Sequence, residues 1–186
     1  MHLHSHQIAW GSGSGQQSVT THSVNNDQGD LWSIQGAYGQ QFCEAGTPIQ
    51  CGSTIRLTHV QTNKNLHSHL FKAALSGFQE ISAFGEGGKG DTGDNWVVEC
   101  GFISRTSVAK DWLRGAPISL KHVDTSKYLY TATGVSFNQQ NCGVQCPIMG
   151  QSEVSCAPKK DSSKTTWYTT QGVYFPPKDE MDRDEL

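Results

Sequence analysis

The chain repeats itself, and the period limits what it can fold into. "IRLTHVQTNKNL" from Ile55 and "ISLKHVDTSKYL" from Ile118 align without a gap at an offset of 63 residues, sharing Ile, Leu, His, Val, Thr, Lys and Leu in register. The same offset carries Leu3 to Leu66 and Leu129, followed by "HSH", "HSH" and "YTA". Downstream, "GQQSVT", "GFQEIS" and "GQSEVS" start at Gly15, Gly77 and Gly150, and each copy closes on a tryptophan: Trp32, Trp96 or Trp167. Units of this kind cannot bury an apolar face alone, so three copies must close on or stack against one another.

Within the copies the pattern is strand. Ile55, Leu57 and His59 alternate with Thr54, Arg56 and Thr58, and short β-branched or aromatic runs end at Gly, Asn, Asp or Ser. No helix is expected. Three sets of short strands, each with one aliphatic and one Trp layer, suit closed β architecture around a threefold axis, the β-trefoil. A three-copy solenoid would need capping ends, which neither terminus resembles. The expected organisation is one all-β domain over 1–175, with repeats at about 1–40, 41–104 and 105–175, and a tail at 176–186. By internal symmetry the first strand of copy one, the counterpart of Cys51 to Asn65, is expected to be missing.

Composition narrows the partners. Lys+Arg 14 against Asp+Glu 17 gives a net charge of -3 without a basic cluster, which argues against nucleic acid. No apolar run approaches the ~20 residues of a membrane span. The chain ends in Arg183-Asp184-Glu185-Leu186, a KDEL-type retrieval address that implies residence in the endoplasmic reticulum lumen. Such an address calls for a signal peptide, and "MHLHSHQIAWGSG" has none of its features, so a preceding segment is expected to be absent.

The strings "LHSH…GSGSGQQSVT…W" and "GTPIQCGSTIRLTHVQTNKNLHSH…SGFQEISAFG…DNW" resemble MIR repeats, and with the RDEL ending their order is similar to the stromal cell-derived factor 2 family. The resemblance spans essentially the whole chain and weakens in copy three, where "YLYTA" replaces "LHSH". It implies a β-trefoil with no enzymatic activity or cofactor, acting in lumenal quality control with an Hsp70, its Hsp40 co-chaperone and client polypeptides. MIR repeats also occur in protein O-mannosyltransferases, which keeps glycan binding, or an accessory role in O-mannosylation, as alternatives.

Candidate interaction residues are His67, Ser68, His69, Tyr128 and Tyr130, because these sit at the recurring "LHSH" position or offer rings on which sugars stack. His2, His4 and His6 alternate on one strand face, but a repeated string that copy three replaces points to hydrogen bonding of turn backbone rather than to metal. "GSGSGQ" and "GEGGKGD" lack phosphate-loop spacing and read as turns. Asp91 and Asp94 fail EF-hand spacing and read as a solvated hairpin tip. No nucleophile, acid or base signature is present. Cys43 and Cys51 flank a short connection suited to a bridged hairpin, and Cys142 and Cys146 can close the long loop of copy three. The family's first copy begins with Cys, so the resemblance implies that Cys100 has lost its partner and is free.

Overall fold

The computed structural model describes residues 1–40, 44–101 and 110–169. Ten strands form one sheet: β1 (His2–Ala9), β2 (Gln17–His22), β3 (Trp32–Gly36), β4 (Thr54–His59), β5 (Lys64–Lys72), β6 (Gln79–Phe84), β7 (Trp96–Cys100), β8 (Ile118–His122), β9 (Tyr128–Ser136) and β10 (Ser152–Ala157). Among the described residues the expectation of no helix fails at three short 3-10 turns, Gln28–Asp30, Glu86–Gly88 and Thr92–Asp94, and at one α-helical turn. The enlarged loop of copy three contains α1 (Gln139–Cys142), a single turn that Asn138 caps by accepting from the Gln140 and Asn141 amides.

The 63-residue period governs the pairing. β1–β2, β5–β6 and β9–β10 are antiparallel hairpins, and β2, β6 and β10 also pair with one another. In that inner triangle Gln17 lies opposite Ala83, Gln79 opposite Cys156, and Ser152 opposite Thr21, so the start of each strand meets the end of the next. The sheet therefore closes on itself, which leaves these central strands without a free edge. Trp32 pairs with His59 and Trp96 with His122 in the next copy, while Trp96 pairs with Ile55 and Trp167 with Ile118 in its own. Among the described residues, Trp167 has no counterpart of His59 and His122.

Inside the closure the apolar residues stack by repeat position. Val19, Ile81 and Val154 are 0% exposed, as are Leu66 and Leu129. Leu3, their counterpart, is only partly buried against this core. A second, smaller cluster packs Phe137, Cys146 and Ile148 of the long loop against Trp10 and Leu75. That cluster ties copy three's extra sequence to the hairpins of copies one and two.

Among the described residues two disulfides are present, Cys142–Cys146 as expected and Cys51–Cys100, which corrects the sequence expectation twice. Cys51 does not bridge Cys43, which lies outside the described residues, and Cys100 is not free. The physical reason is sheet register. Gly52 N donates to Val98 O at 2.7 Å and Val98 N to Ser53 O at 3.0 Å, which brings the start of β4 alongside the end of β7. The Cα atoms of Cys51 and Cys100 then stand 5.5 Å apart, the usual bridging separation.

Candidate functional site

Each "LHSH" string sits where a hairpin meets the turn before the repeat's tryptophan, and each letter has its own task. The leucine carbonyl accepts from the tryptophan indole N–H: Trp32 to Leu3 at 3.0 Å, Trp96 to Leu66 at 2.9 Å, Trp167 to Leu129 at 3.0 Å. The serine hydroxyl donates to the neighbouring strand, Ser5 to Ser18 O and Ser68 to Glu80 O, both at 2.8 Å, and Thr131 does the same to Glu153 O at 3.1 Å. The first histidine meets a carboxylate two residues before the tryptophan, His4 Nδ1 to Asp30 at 3.0 Å and His67 Nδ1 to Asp94 at 2.9 Å. Copy three has neither partner, since Tyr130 and Thr165 stand in those places.

The carboxylates are held by short turns. Asp27 and Asp91 accept from the amides of Gly29 and Gly93, which points Asp30 and Asp94 inward. Only glycine fits at these two positions, because a Cβ would lie 2.5 Å from Cε1 of His4 or of His67. The next repeat locks the turn from the far side. His59 Nε2 donates to Gly29 O at 3.0 Å and His122 Nε2 to Gly93 O at 2.9 Å. A carbonyl cannot donate, so the proton sits on Nε2 and Nδ1 accepts from Thr62 or Thr125. Burial lowers the pKa of both rings, which keeps them neutral.

The sequence reading is corrected here in two respects. Of the string's histidines, His4, His67 and His69 bond carboxylates, while His6 bonds His4 and Ser18 and His2 bonds Asn25; it is Ser5 and Ser68 that bond backbone. Asp94 belongs to no solvated tip: it is 0% exposed and accepts from His67, from Asn65 Nδ2 at 3.0 Å and from Asp91 N at 3.0 Å. The signal for both carboxylates is present in the sequence as "DLW" and "DNW", an Asp two residues before a repeat-closing Trp.

Of the candidate interaction residues, His67 and Ser68 are buried and consumed by this network. His69 is half-buried and bonds Glu80 at 3.0 Å. Tyr130 packs edge-on against Phe78, and Tyr128 bonds Glu99 between Lys121 and Lys160. Trp10 spends its indole N–H on Ile81 O and packs on Phe137. Arg183, Asp184, Glu185 and Leu186, expected to form a retrieval address, lie outside the described residues.

A surface that the sequence reading did not single out lies on the β5–β6 hairpin. Leu70 is 85% and Phe71 51% exposed, beside a shallow cleft also lined by Phe78 and Lys127. The tip beneath is held firmly. Glu153, 2% exposed, accepts from the amides of Leu75 at 2.6 Å and Ser76 at 2.9 Å. At the pseudo-equivalent place Glu80 holds Ser14 at the β1–β2 tip. Repeat positions matching Leu70 are Gln7 and Thr133, so the fold does not require an aliphatic side chain there.

The family model for the MIR domain matches residues 2–160 of the chain. The chain belongs to the stromal cell-derived factor 2 family of MIR-domain proteins. The stromal cell-derived factor 2-like protein of Dictyostelium discoideum is 44% identical over 176 residues, covering 93% of this chain and 76% of that protein. Human stromal cell-derived factor 2-like protein 1 is 42% identical over 94% of this chain and 72% of its own length. Among solved structures, the SDF2-like protein of Arabidopsis thaliana is similar, with a TM-score of 0.82 and 35% identity over 95% of this chain and 89% of that one. The yeast protein O-mannosyltransferase Pmt1-Pmt2 complex bound to the sugar donor is also similar, with a TM-score of 0.73 and 28% identity over 92% of this chain but 23% of that chain.

Proposed function

We propose that residues 1–175 form a β-trefoil of three MIR repeats, at about 1–40, 41–104 and 105–175. Its role is that of a non-enzymatic binding module of the endoplasmic reticulum lumen, which engages client polypeptides together with the lumenal Hsp70 and its Hsp40 co-chaperone. The observation that carries the reading is the exposed Leu70–Phe71 pair. Apolar side chains raised on a rigid hairpin, where the other repeats have Gln7 and Thr133, are what a binder of unfolded, apolar chain segments presents. Two disulfides suit an oxidising compartment. The RDEL ending of the sequence suits retention in the lumen, with 176–186 serving as a tail.

Glycan binding ranks second, because Trp10, Tyr128 and Tyr130 are each engaged by protein groups rather than left as open platforms. The test is recovery from lumenal extract together with anisotropy of a labelled apolar peptide, on the wild type and on Leu70→Ala/Phe71→Ala. The wild type should recover Hsp70 or Hsp40, and the double variant should bind the peptide at least fivefold more weakly with its melting temperature preserved. Peptide binding that ignores both substitutions, or calorimetric binding of a mannose oligosaccharide with no chaperone recovered, would overturn the reading.

A further inference from the structure

At the junction before the tryptophan copy one differs from copy two, and the difference is chemical. In copy two the inner carboxylate, Asp94, is met by one imidazole, His67, and by the amide of Asn65. The end of β6 there places Phe84 against the His67 ring, with centroids 4.7 Å apart. In copy one the matching end of β2 is His22, whose ring lies 4.3 Å from that of His4. His22 Nε2 reaches Asp30 Oδ1 at 2.7 Å, and His4 Nδ1 reaches the same oxygen at 3.0 Å. His2 replaces Asn65 and turns outward to Asn25 at 3.2 Å, so the amide of copy two is not present to claim Asp30.

We propose that this junction is a binding site for a divalent transition-metal ion of the zinc type, held by His4 Nδ1, His22 Nε2 and Asp30 Oδ1. These three donor atoms lie within 4.8 Å of one another. Two imidazoles and a carboxylate are the donor set that such borderline ions take. Metal–ligand bonds of about 2.0–2.2 Å in a tetrahedral site imply edges of about 3.4 Å. The two edges to Asp30, at 3.0 and 2.7 Å, therefore open by roughly half an ångström when hydrogen bonds give way to coordination, a shift within the reach of side-chain rotation. The side chains of His4, His22 and Asp30 are 7%, 9% and 12% exposed, which leaves a narrow path inward. Asp27, 41% exposed and 4.0 Å from His4 Nδ1, stands at its mouth, and it or a water takes the fourth position.

A supporting shell already exists. His4 Nδ1 donates to Asp30, so Nε2 accepts from His6 Nδ1 at 3.1 Å, and His6 Nε2 accepts from the Ser18 hydroxyl at 3.3 Å. Coordination at Nδ1 moves the His4 proton to Nε2. The chain then reverses, with His4 donating to His6 and His6 to Ser18. Every partner stays satisfied, and the metal-bound ring gains the outer hydrogen bond that orients ligating histidines. Neither imidazole need lose a proton overall.

The test uses the folded protein, chelator-treated and titrated with zinc chloride by calorimetry and with cobalt(II) by visible absorption. One equivalent should bind, and cobalt should give the intense bands of a four-coordinate site. The variant His22→Phe copies the residue that copy two already carries, so it should keep the metal-free melting temperature and bind at least thirtyfold more weakly. Should His22→Phe fail to fold, His22→Gln retains a donor to Asp30 while removing the imidazole, with the same loss expected. Absence of stoichiometric binding, a weak six-coordinate cobalt spectrum, or affinity unchanged by substitution at His22 would overturn the proposal.

Discussion

Replacing Asp94 by Ala should remove the keystone of the second repeat junction. Asp94 is fully buried and accepts from His67, Asn65 and the Asp91 amide at 2.9, 3.0 and 3.0 Å. The Asp91 amide lies at an exposed residue, so water can take over there. His67, 5% exposed, would keep a donor with no acceptor, and Asn65, 0% exposed, would keep Gly88 O for one N–H of Nδ2 and lose the acceptor of the other. A hydrogen bond to a charged group contributes about 1.5–3 kcal/mol, and a stranded buried donor costs about 1–3 kcal/mol. The expected loss is therefore about 4 kcal/mol, a large fraction of the roughly 5–15 kcal/mol available to a domain, and on the order of 10 °C in melting temperature. Guanidinium unfolding followed by tryptophan fluorescence, with the disulfides intact, measures it. Copy three supplies a sharper arm, because it runs the same junction with Tyr130 and Thr165. His67→Tyr combined with Asp94→Thr should cost at least about 1 kcal/mol less than the sum of the single changes. A loss below about 1 kcal/mol for Asp94→Ala, or strict additivity in the cycle, would refute the view that this carboxylate organises the turn.

Three further outcomes follow from the same geometry. Cys51→Ser/Cys100→Ser opens a loop of 49 residues and should cost about 4 kcal/mol by chain entropy, whereas Cys142→Ser/Cys146→Ser, with a separation of 4, should cost about 2 kcal/mol; equal losses on denaturant titration would contradict this. Burial depresses the pKa of His59 and His122, so the unfolded chain takes up protons that the folded one refuses; with chelator present, stability should be full above pH 6.5 and decline as the pH falls below it, and a flat melting profile between pH 7.5 and 5 would refute the assignment. Burial pushes the Cys156 thiol up to about 12, so a disulfide-exchange reagent should modify it only after unfolding, and rapid native labelling at Cys156 would show the core to be open.

The repeat itself was readable because the 63-residue offset survives in side chains that every copy needs: the leucine whose carbonyl receives the indole, the hydroxyl that bonds the next strand, and the tryptophan that closes the unit. Alternation in "TIRLTH" likewise reported β4, since one face of that strand meets the core and strand periodicity is a local property. Local signals end where partners come from different copies. Cys51 lies nearer Cys43 along the chain, yet β4–β7 registry delivers Cys100, a choice that only the closed sheet makes. Asp30 and Asp94 resemble loop carboxylates until a 3-10 turn aims them at His4 and His67. The chemical novelty of copy one needs two hairpin strands at once: His4 comes from β1 and His22 from β2, 18 positions apart, and only their pairing beside Asp30 sets two imidazoles on one oxygen. The sequence by itself carried the repeated unit, because periodicity is written residue by residue. The tertiary structure decided which side chains meet, because contacts across a closed sheet depend on register that no single repeat contains.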